Sequence, residues 1–205
     1  LFANNTFTAG STKKAYGGGA FANSGSLKVF NDTFYNNSIT NTGTGGAAGP
    51  VVGDYGYNSS ATHSATLQMN NNIMIGNTAN GVEATYFCAA AAENDGYSAA
   101  YSGANNLITG QPFQNAASDD FTLSSTATDA VDKGDNTYAT NLYDAAGNAR
   151  IYNSTVDIGA YEYYPPDTTA PVLSAVGVIN VGGNTATLNF TSDEAGTYYY
   201  LVFPA

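Results

Sequence analysis

Apolar and polar positions alternate over two residues, in short pieces, along the first half of the chain. The segments FANNTFTAG (2–10), VFNDTFYNN (29–37), MNNNIMIGN (69–77) and SGANNLITG (102–110) are alike. In each, an Asn or Asp precedes a β-favouring pair: Asn5 before Thr6-Phe7, Asp32 before Thr33-Phe34, Asn72 before Ile73-Met74, and Asn106 before Leu107-Ile108. These positions are 27, 40 and 34 residues apart (5→32→72→106). A helical repeat would place apolar residues three and four apart, whereas period-two pieces this short predict strands. Repeats that cannot bury an apolar face alone stack on their neighbours and share a core. The pattern therefore predicts a solenoid in which equal positions lie in file, about 4.8 Å apart. Asparagines in such a file hydrogen-bond to the asparagines above and below. Small residues at Gly19, Ala20, Gly46 and Ala47 suit tight corners. The uneven spacing implies loops at roughly 38–64 and 79–102, insertions of the kind that carry binding.

The pattern changes after residue 110. Val156, Ile158 and Ala160 alternate like a final strand lying under the last coil, where an open edge would otherwise recruit other strands. Tyr161 and Tyr163 can cover apolar core with their rings and keep their hydroxyls in water. Arg150 has few available partners beyond Asp157, Asp144 and Glu162, so an ion-paired structural role is expected for it. Pro165-Pro166 and Ala170-Pro171 mark a linker, because each proline restricts its own φ and the preceding residue. Three further β-like runs follow, Val172–Ile179, Thr185–Thr191 and Thr197–Phe203.

Composition sharpens this picture. Only 10% of residues are charged, against a typical figure of about 25%, and Asn, Thr, Ser, Gly and Tyr fill the gap. These residues suit turns and pleated surfaces and disfavour helix interiors. The formal net charge is −11. Residues 1–110 hold three cations and five acids (−2), and residues 111–205 hold two cations and eleven acids (−9). A chain this poor in cations neutralises few phosphates, which argues against nucleic acid and against an anionic membrane surface. No run is long or apolar enough to cross a membrane. Both ends stand in mid-pattern, as an internal piece of a larger protein would. A single cysteine, Cys88, excludes an intrachain disulfide and reads as a small buried hydrophobe.

The stretch GGGAFAN…VFNDTFYNNS resembles the repeats of bacterial right-handed parallel β-helix proteins with a pectin-lyase-like fold, polymorphic outer-membrane autotransporters among them. That resemblance covers about the first 110 residues. DDFTLSSTATDAVDKGDNT (119–137) and DAAGNARIYNSTVDIGAYEY (144–163) resemble the choice-of-anchor Q domain. Asp120, Phe121 and Leu123, then Asp132, Gly134 and Asp135, then Asp144, Gly147 and Arg150, and finally Val156 to Tyr163 carry it. Thr128-Asp129 stands where that family has Ser-Pro, Val131 where it has Ile, and Ala149 where it has Pro. The resemblance implies a module that closes a β-helix on a secreted or surface protein. Residues 167–205 resemble the opening of a bacterial immunoglobulin-like or fibronectin-type module.

Candidate chemistry is sparse. Pectin-lyase-like enzymes act on acidic polysaccharides with clustered acids and a basic residue, and hydrolases need paired carboxylates. The acids of the coil region, Asp32, Asp54, Glu83, Glu93 and Asp95, are scattered, and Lys13, Lys14 and Lys28 adjoin no acid cluster. His63 stands alone, where a zinc site or triad needs partners. Asp129, Asp132, Asp135 and Asn136 are candidate calcium ligands by proximity, or the acids of an Asx turn. No other cofactor is expected. Tyr55, Tyr57, Tyr86, Tyr97 and Tyr101 lie in the insertions, as candidate ligand contacts or as packing under loops.

The expected fold is all-β. Parallel β-helix coils occupy residues 1–118, a choice-of-anchor Q type closing region 119–164, a Pro-rich linker 165–171 and a partial β-sandwich 172–205. The expected function is non-enzymatic: a monomeric piece of a bacterial extracellular or cell-surface protein whose loops contact a glycan or host-surface ligand. Two other readings stay open. One is the C-terminal part of a polysaccharide lyase or hydrolase whose catalytic coils lie elsewhere, and the other is a structural spacer.

Overall fold

The computed structural model describes residues 1–12, 15–16, 20–23, 26–56, 64–84, 86–90 and 98–201. The described chain is all-β, with only two short 3-10 turns, Ala116–Ser118 and Asn136–Tyr138. It forms two compact units, Leu1–Tyr164 and Pro165–Ala205.

Four parallel sheets build most of the first unit. Sheet 1 holds Phe2–Ala3, Thr33–Tyr35 and Ile73–Ile75. Sheet 2 holds Thr6–Ala9, Ser38–Asn41 and Thr78–Ala79, with Val82–Glu83 added antiparallel. Sheet 3 holds Ala20–Asn23, Val52–Gly56 and Tyr86–Ala90. Sheet 4 holds Ser26–Phe30, Ser64–Asn70 and Ser98–Ala104. The chain visits sheets 1, 2, 3 and 4 in that order and then returns to sheet 1. Every return is in register: Phe2 faces Phe34, which faces Met74, and Thr6 faces Ser38, which faces Thr78.

The corners explain the asparagines. Between sheets 4 and 1 the backbone turns through the left-handed region at Asn31, Asn71 and Asn105 (φ 55°, 59° and 53°). Between sheets 1 and 2 it does so at Asn4, Asn36 and Gly76 (φ 57°, 52° and 71°). Asparagine tolerates this conformation better than most L-residues. The next residue at each corner joins a file of side chains. Asn5 donates through Nδ2 to Asn37 Oδ1 at 2.9 Å, and Asn37 donates likewise to Asn77 Oδ1 at 2.9 Å. Asn72 donates to Asn106 Oδ1 at 2.9 Å and accepts from the Asp32 backbone N–H at 2.9 Å. Each Asn-Asn or Gly-Asn pair is thus one turning residue followed by one file residue.

This corrects the first repeat interval. Asn5 stacks on Asn37 and Asn77, not on Asp32, so the first return takes 32 residues (5→37) rather than 27. The 40- and 34-residue steps through Asp32, Asn72 and Asn106 stand as read. The corner role expected of small residues falls instead mostly to asparagine. Gly46 does turn with φ 74°, but Ala20 and Ala47 lie inside strands and Gly19 lies outside the described residues.

Sheet 1 is buried on both faces. Phe34 and Met74 point into a cluster with Val29, Val51, Leu67 and Met69, where the Phe2 and Phe34 rings stack 5.0 Å apart. Their strand neighbours point the other way, as alternation requires. Ile73 and Ile75 join Phe113, Phe121, Leu123, Ala127, Ala130 and Ile158 there. This second cluster belongs to residues 111–164, which lie along the outer face of sheet 1. Their hairpin pairs Phe113–Asn115 with Asp120–Leu123, so the flanking segment starts ahead of Asp119.

The final strand expected at Val156–Ala160 does not form. All five residues are buried, yet their polar groups bond to corners and side chains rather than to a ladder. Ile158 N–H donates to Ala130 O, Gly159 N–H to Asn71 O, and Ala160 N–H to Thr33 Oγ1 at 2.9 Å. The segment meets sheet 1 at Thr33 and Ile73 and pairs with no described strand.

In the second unit, Leu173–Ile179 pairs antiparallel with Thr187–Ser192, with a register shift between Ser174 and Gly177 where Ala175 has φ 52°. The third expected run forms no strand over its described part, Thr197–Leu201. Tyr199, Tyr200 and Leu201 are exposed, and a strand without a covered face or a partner ladder gains little.

Candidate functional site

The acidic second half of the chain concentrates its charge around one buried cation. Arg150 is only 4% exposed. It makes none of the direct ion pairs expected for it. The ion pair found among the described residues joins the Leu1 amino group to Asp32 Oδ1 at 3.9 Å. Arg150 Nη2 instead donates to the Asp157 carbonyl at 2.9 Å and the Gly159 carbonyl at 2.7 Å. Nε is buried without a partner. The reason is geometric, because the nearby carboxylates are already committed to backbone N–H groups.

Those commitments give several residues of the 119–163 stretch a physical role. Asp144 Oδ1 accepts from the N–H groups of Ala146 and Asn148, and its Oδ2 accepts from that of Glu162. Glu162 Oε1 accepts from Tyr152 N–H at 2.9 Å and Oε2 from Asp157 N–H at 3.2 Å. Asp157 accepts from the N–H groups of Asp132 and Tyr163, both at 2.6 Å. Asp132 turns with φ 55°. Gly134 is obligatory beside it, because a Cβ there would sit 2.6 Å from Val156 Cγ1. Tyr161 and Tyr163 are half-buried against the second cluster. The charged residues thus organise main chain, a charge-assisted and therefore strong use of a carboxylate.

Burial shapes their titration. It pushes Glu162 up to about 7, against the two N–H donors and Arg150, which oppose the shift. It also raises Asp157 and Asp32. Burial pulls the Arg150 guanidinium below its ordinary value, while the charges of Glu162, Asp144, Asp157 and Asp32 push it back up.

Beside Arg150 lies a cavity of about 160 Å³, walled in part by Asn31, Asp32, Asn141, Tyr143, Asp144 and Arg150. Asn141 and Tyr143 are exposed. These wall residues were not legible as a set, because more than a hundred positions separate Asp32 from Asn141.

Two of the four calcium candidates, Asp135 and Asn136, have other partners. Asp135 accepts from Thr137 N–H at 2.9 Å, and this bond holds its carboxyl below the usual range. Asn136 Nδ2 donates to Ser154 O and its Oδ1 accepts from Val156 N–H. Asp129 lines a separate cavity of about 50 Å³ with Thr126 and Gln111. No group of three or more His, Cys, Asp or Glu placed to hold a metal is found among the described residues.

Of the tyrosine candidates, Tyr101 is 40% exposed on the edge strand Ser98–Ala104. Tyr55 and Tyr86 lie on strands of sheet 3, their side chains outside the described set. Tyr57, Tyr97 and His63 lie outside the described residues. No helix among the described residues is long and apolar enough to cross a membrane. No protein-family model, curated protein or solved structure matches this chain.

Proposed function

We propose that residues 1–164 are part of a right-handed parallel β-helix on a bacterial extracellular or cell-surface protein, working as a non-catalytic frame that displays loops for adhesion or glycan contact. The cyclic visiting order with parallel returns supports the helix, and parallel crossovers are right-handed in about 98% of cases. The observation that carries the display reading is where the chain lengthens. Sheets 3 and 4 are joined by two residues on the first pass (24–25), and by seven on each of the next two (57–63 and 91–97). Both longer connections link the same pair of sheets, and their sequences contain Tyr57, His63 and Tyr97. Insertions gathered at one corner of a repeat frame are the usual form of a binding edge. The sequence resemblance to choice-of-anchor Q modules, and to immunoglobulin-like or fibronectin-type modules after residue 166, fits such a surface protein.

The test is a glycan array probed with the 205-residue chain and with a Tyr57→Ala/Tyr97→Ala variant. Binding that falls in the variant is the expected result. Binding to no glycan would leave the frame as a spacer.

A further inference from the structure

We propose that Asn80-Gly81 is a self-modifying site, at which the Gly81 backbone nitrogen closes on the Asn80 side chain and leaves an aspartate or an isoaspartate in the main chain. The pair is the only Asn-Gly in the sequence. It forms the two-residue turn between Thr78–Ala79 and Val82–Glu83, with φ 49° and 76°, the positive values that a tight hairpin turn favours. Asn80 is anchored on the side that faces sheet 2. Its N–H donates to Ile39 O at 2.8 Å, and its Oδ1 accepts from the Asn41 N–H at 2.7 Å. The second bond polarises the side-chain amide and lies where negative charge gathers when its carbon is attacked. On the other side the turn is open. A Cβ built on Gly81 would meet no atom within 4 Å, Gly81 and Glu83 are exposed, and Val82 is 69% exposed. Glycine has no side chain to shield its nitrogen, and a short exposed strand belongs to the elements that open locally. The Gly81 peptide can therefore swing toward Asn80 Cγ while the Asn80 amide stays bound to sheet 2. Asn36 and Asn71 also turn with positive φ, but each is followed by a buried, hydrogen-bonded asparagine.

The step needs only the chain and water. The Gly81 nitrogen gives up its proton to hydroxide and bonds to Asn80 Cγ. The Cγ–Nδ2 bond breaks, and the amide nitrogen takes up a proton and leaves as ammonia. A cyclic imide remains. Water opens it at either carbonyl, with no change of oxidation state. Opening at Cγ leaves an aspartate at position 80. Opening at the main-chain carbonyl routes the backbone through Cγ and lengthens it by one methylene. That methylene falls in a two-residue turn, whose length sets the register of the strands it joins. The pairs Thr78↔Glu83 and Ala79↔Val82 cannot both survive it. Val82–Glu83 is the strand that covers the edge of Thr78–Ala79 in sheet 2, and an uncovered edge recruits other strands. The rearrangement therefore uncaps sheet 2, whatever the displayed loops bind.

The experiment ages the 205-residue chain in warm, mildly alkaline buffer. Peptide mapping by mass spectrometry, an isoaspartate assay and size-exclusion chromatography are run on the same samples. The control is Asn80→Gly, which removes the amide and keeps a residue suited to positive φ in the turn. The expected result is conversion of Asn80 ahead of the exposed Asn148 and Asn153, faster at higher pH, with isoaspartate formed and ammonia released. Aged parent then forms larger species, and Asn80→Gly loses both the product and the larger species. Conversion of another asparagine ahead of Asn80, or of none, overturns the proposal. Conversion to aspartate alone overturns the change of register and the uncapping with it. Larger species that form equally in aged Asn80→Gly overturn the uncapping.

Discussion

Residues 1–164 bury two polar networks built on opposite plans. In the corner files, amides repeat: Asn37 and Asn72 each donate to the next amide, accept from a backbone N–H, and reach a carbonyl with the second hydrogen. Asn37 binds Asn77 Oδ1 and Phe2 O, and Asn72 binds Asn106 Oδ1 and Val29 O. Around Arg150 no unit repeats, every group is charged, and one donor is left over. Apart from Asp32 at the head of one file, the amides are satisfied by copies of themselves at any pH. The charged network is satisfied by irregular main chain and depends on which protons are bound. Stacking solves the burial of polar groups once and reuses the answer, whereas a non-repeating segment must solve it residue by residue.

The comparison can be broken most severely at Arg150. Arg150→Met removes two carbonyl partners and leaves carboxylates buried without their cation, a loss of about 3–5 kcal/mol visible as a lower urea midpoint. A cost under about 1 kcal/mol would show that the network tolerates losing its centre. Gly159→Ala strikes where the flanking segment meets sheet 1. The new Cβ would lie 2.5 Å from Ile73 Cδ1 and 2.9 Å from Thr33 Oγ1, at φ 102°. About 3 kcal/mol is expected from backbone strain and overpacking together, and a melting temperature equal to the parent's would refute it.

In the files, Asn72→Ala takes the side-chain partner from Val29 O and from the Asp32 N–H, while Asn106 Oδ1 keeps its bond from the backbone N–H of residue 72. The expected loss is about 2–3 kcal/mol, the same at mildly acid and mildly alkaline pH. Asn72→Asp should instead turn the file pH-sensitive, costing more at neutral pH than in acid. Equal losses at both pH values for Asn72→Asp would dissolve the contrast between the networks.

The parent protein's own pH dependence should trace to the charged network. Glu162 titrates near 7 when folded, above its unfolded value of 4.5. Between these values the folded state holds a proton that the unfolded chain has released, so stability rises as pH falls through that window and is lowest above 7. The raised carboxyls of Asp157 and Asp32 act in the same sense. Asp135 and Asp167, both depressed, lose their contribution only in stronger acid. A melting temperature a few degrees higher near pH 5.5 than near pH 8 is expected, with the difference reduced in Glu162→Gln. An unchanged slope in that variant would assign the effect elsewhere. The smallest effect belongs to the turning residues. Asn36→Gly should be nearly neutral, since Gly76 holds the same place one rung on, while Asn36→Ala should cost about 1 kcal/mol in thermal melts.

The sequence shows the β class and the asparagine-led repeat because both are local. Period two and the Asn-Asn pairs need no knowledge of distant residues. The first interval slipped because Asn5 and Asp32 share a following Thr-Phe, while only the fold shows that they serve different corners, one after sheet 1 and one before it. The final strand over Val156–Ala160 was misjudged for a similar reason. Alternation there is genuine, but Asp157 and Gly159 are buried as well, one by its hydrogen bonds and the other against Ile73. Arg150 was legible as a centre of structure, but its partners were not, since carboxylates that seem free in a sequence can be engaged by nearby N–H groups. The cavity wall joins Asp32 to residues 141–150, and no spacing rule reaches that far.

The flanking segment also acts as a proofreader of alignment. Alternation cannot fix the offset of sheet 1, whose strands carry apolar side chains on both faces, so a slip of one residue would expose little. The segment binds the turning residues instead. Asn4 donates to Asp119 Oδ1, Asn31 to Tyr138 O, and Asn71 to Asp135 O, which is one clasp per rung. A rung that stacked one residue out of place would miss its clasp. Its loops can therefore change length freely, because each pass is measured again at a corner rather than counted from the one before.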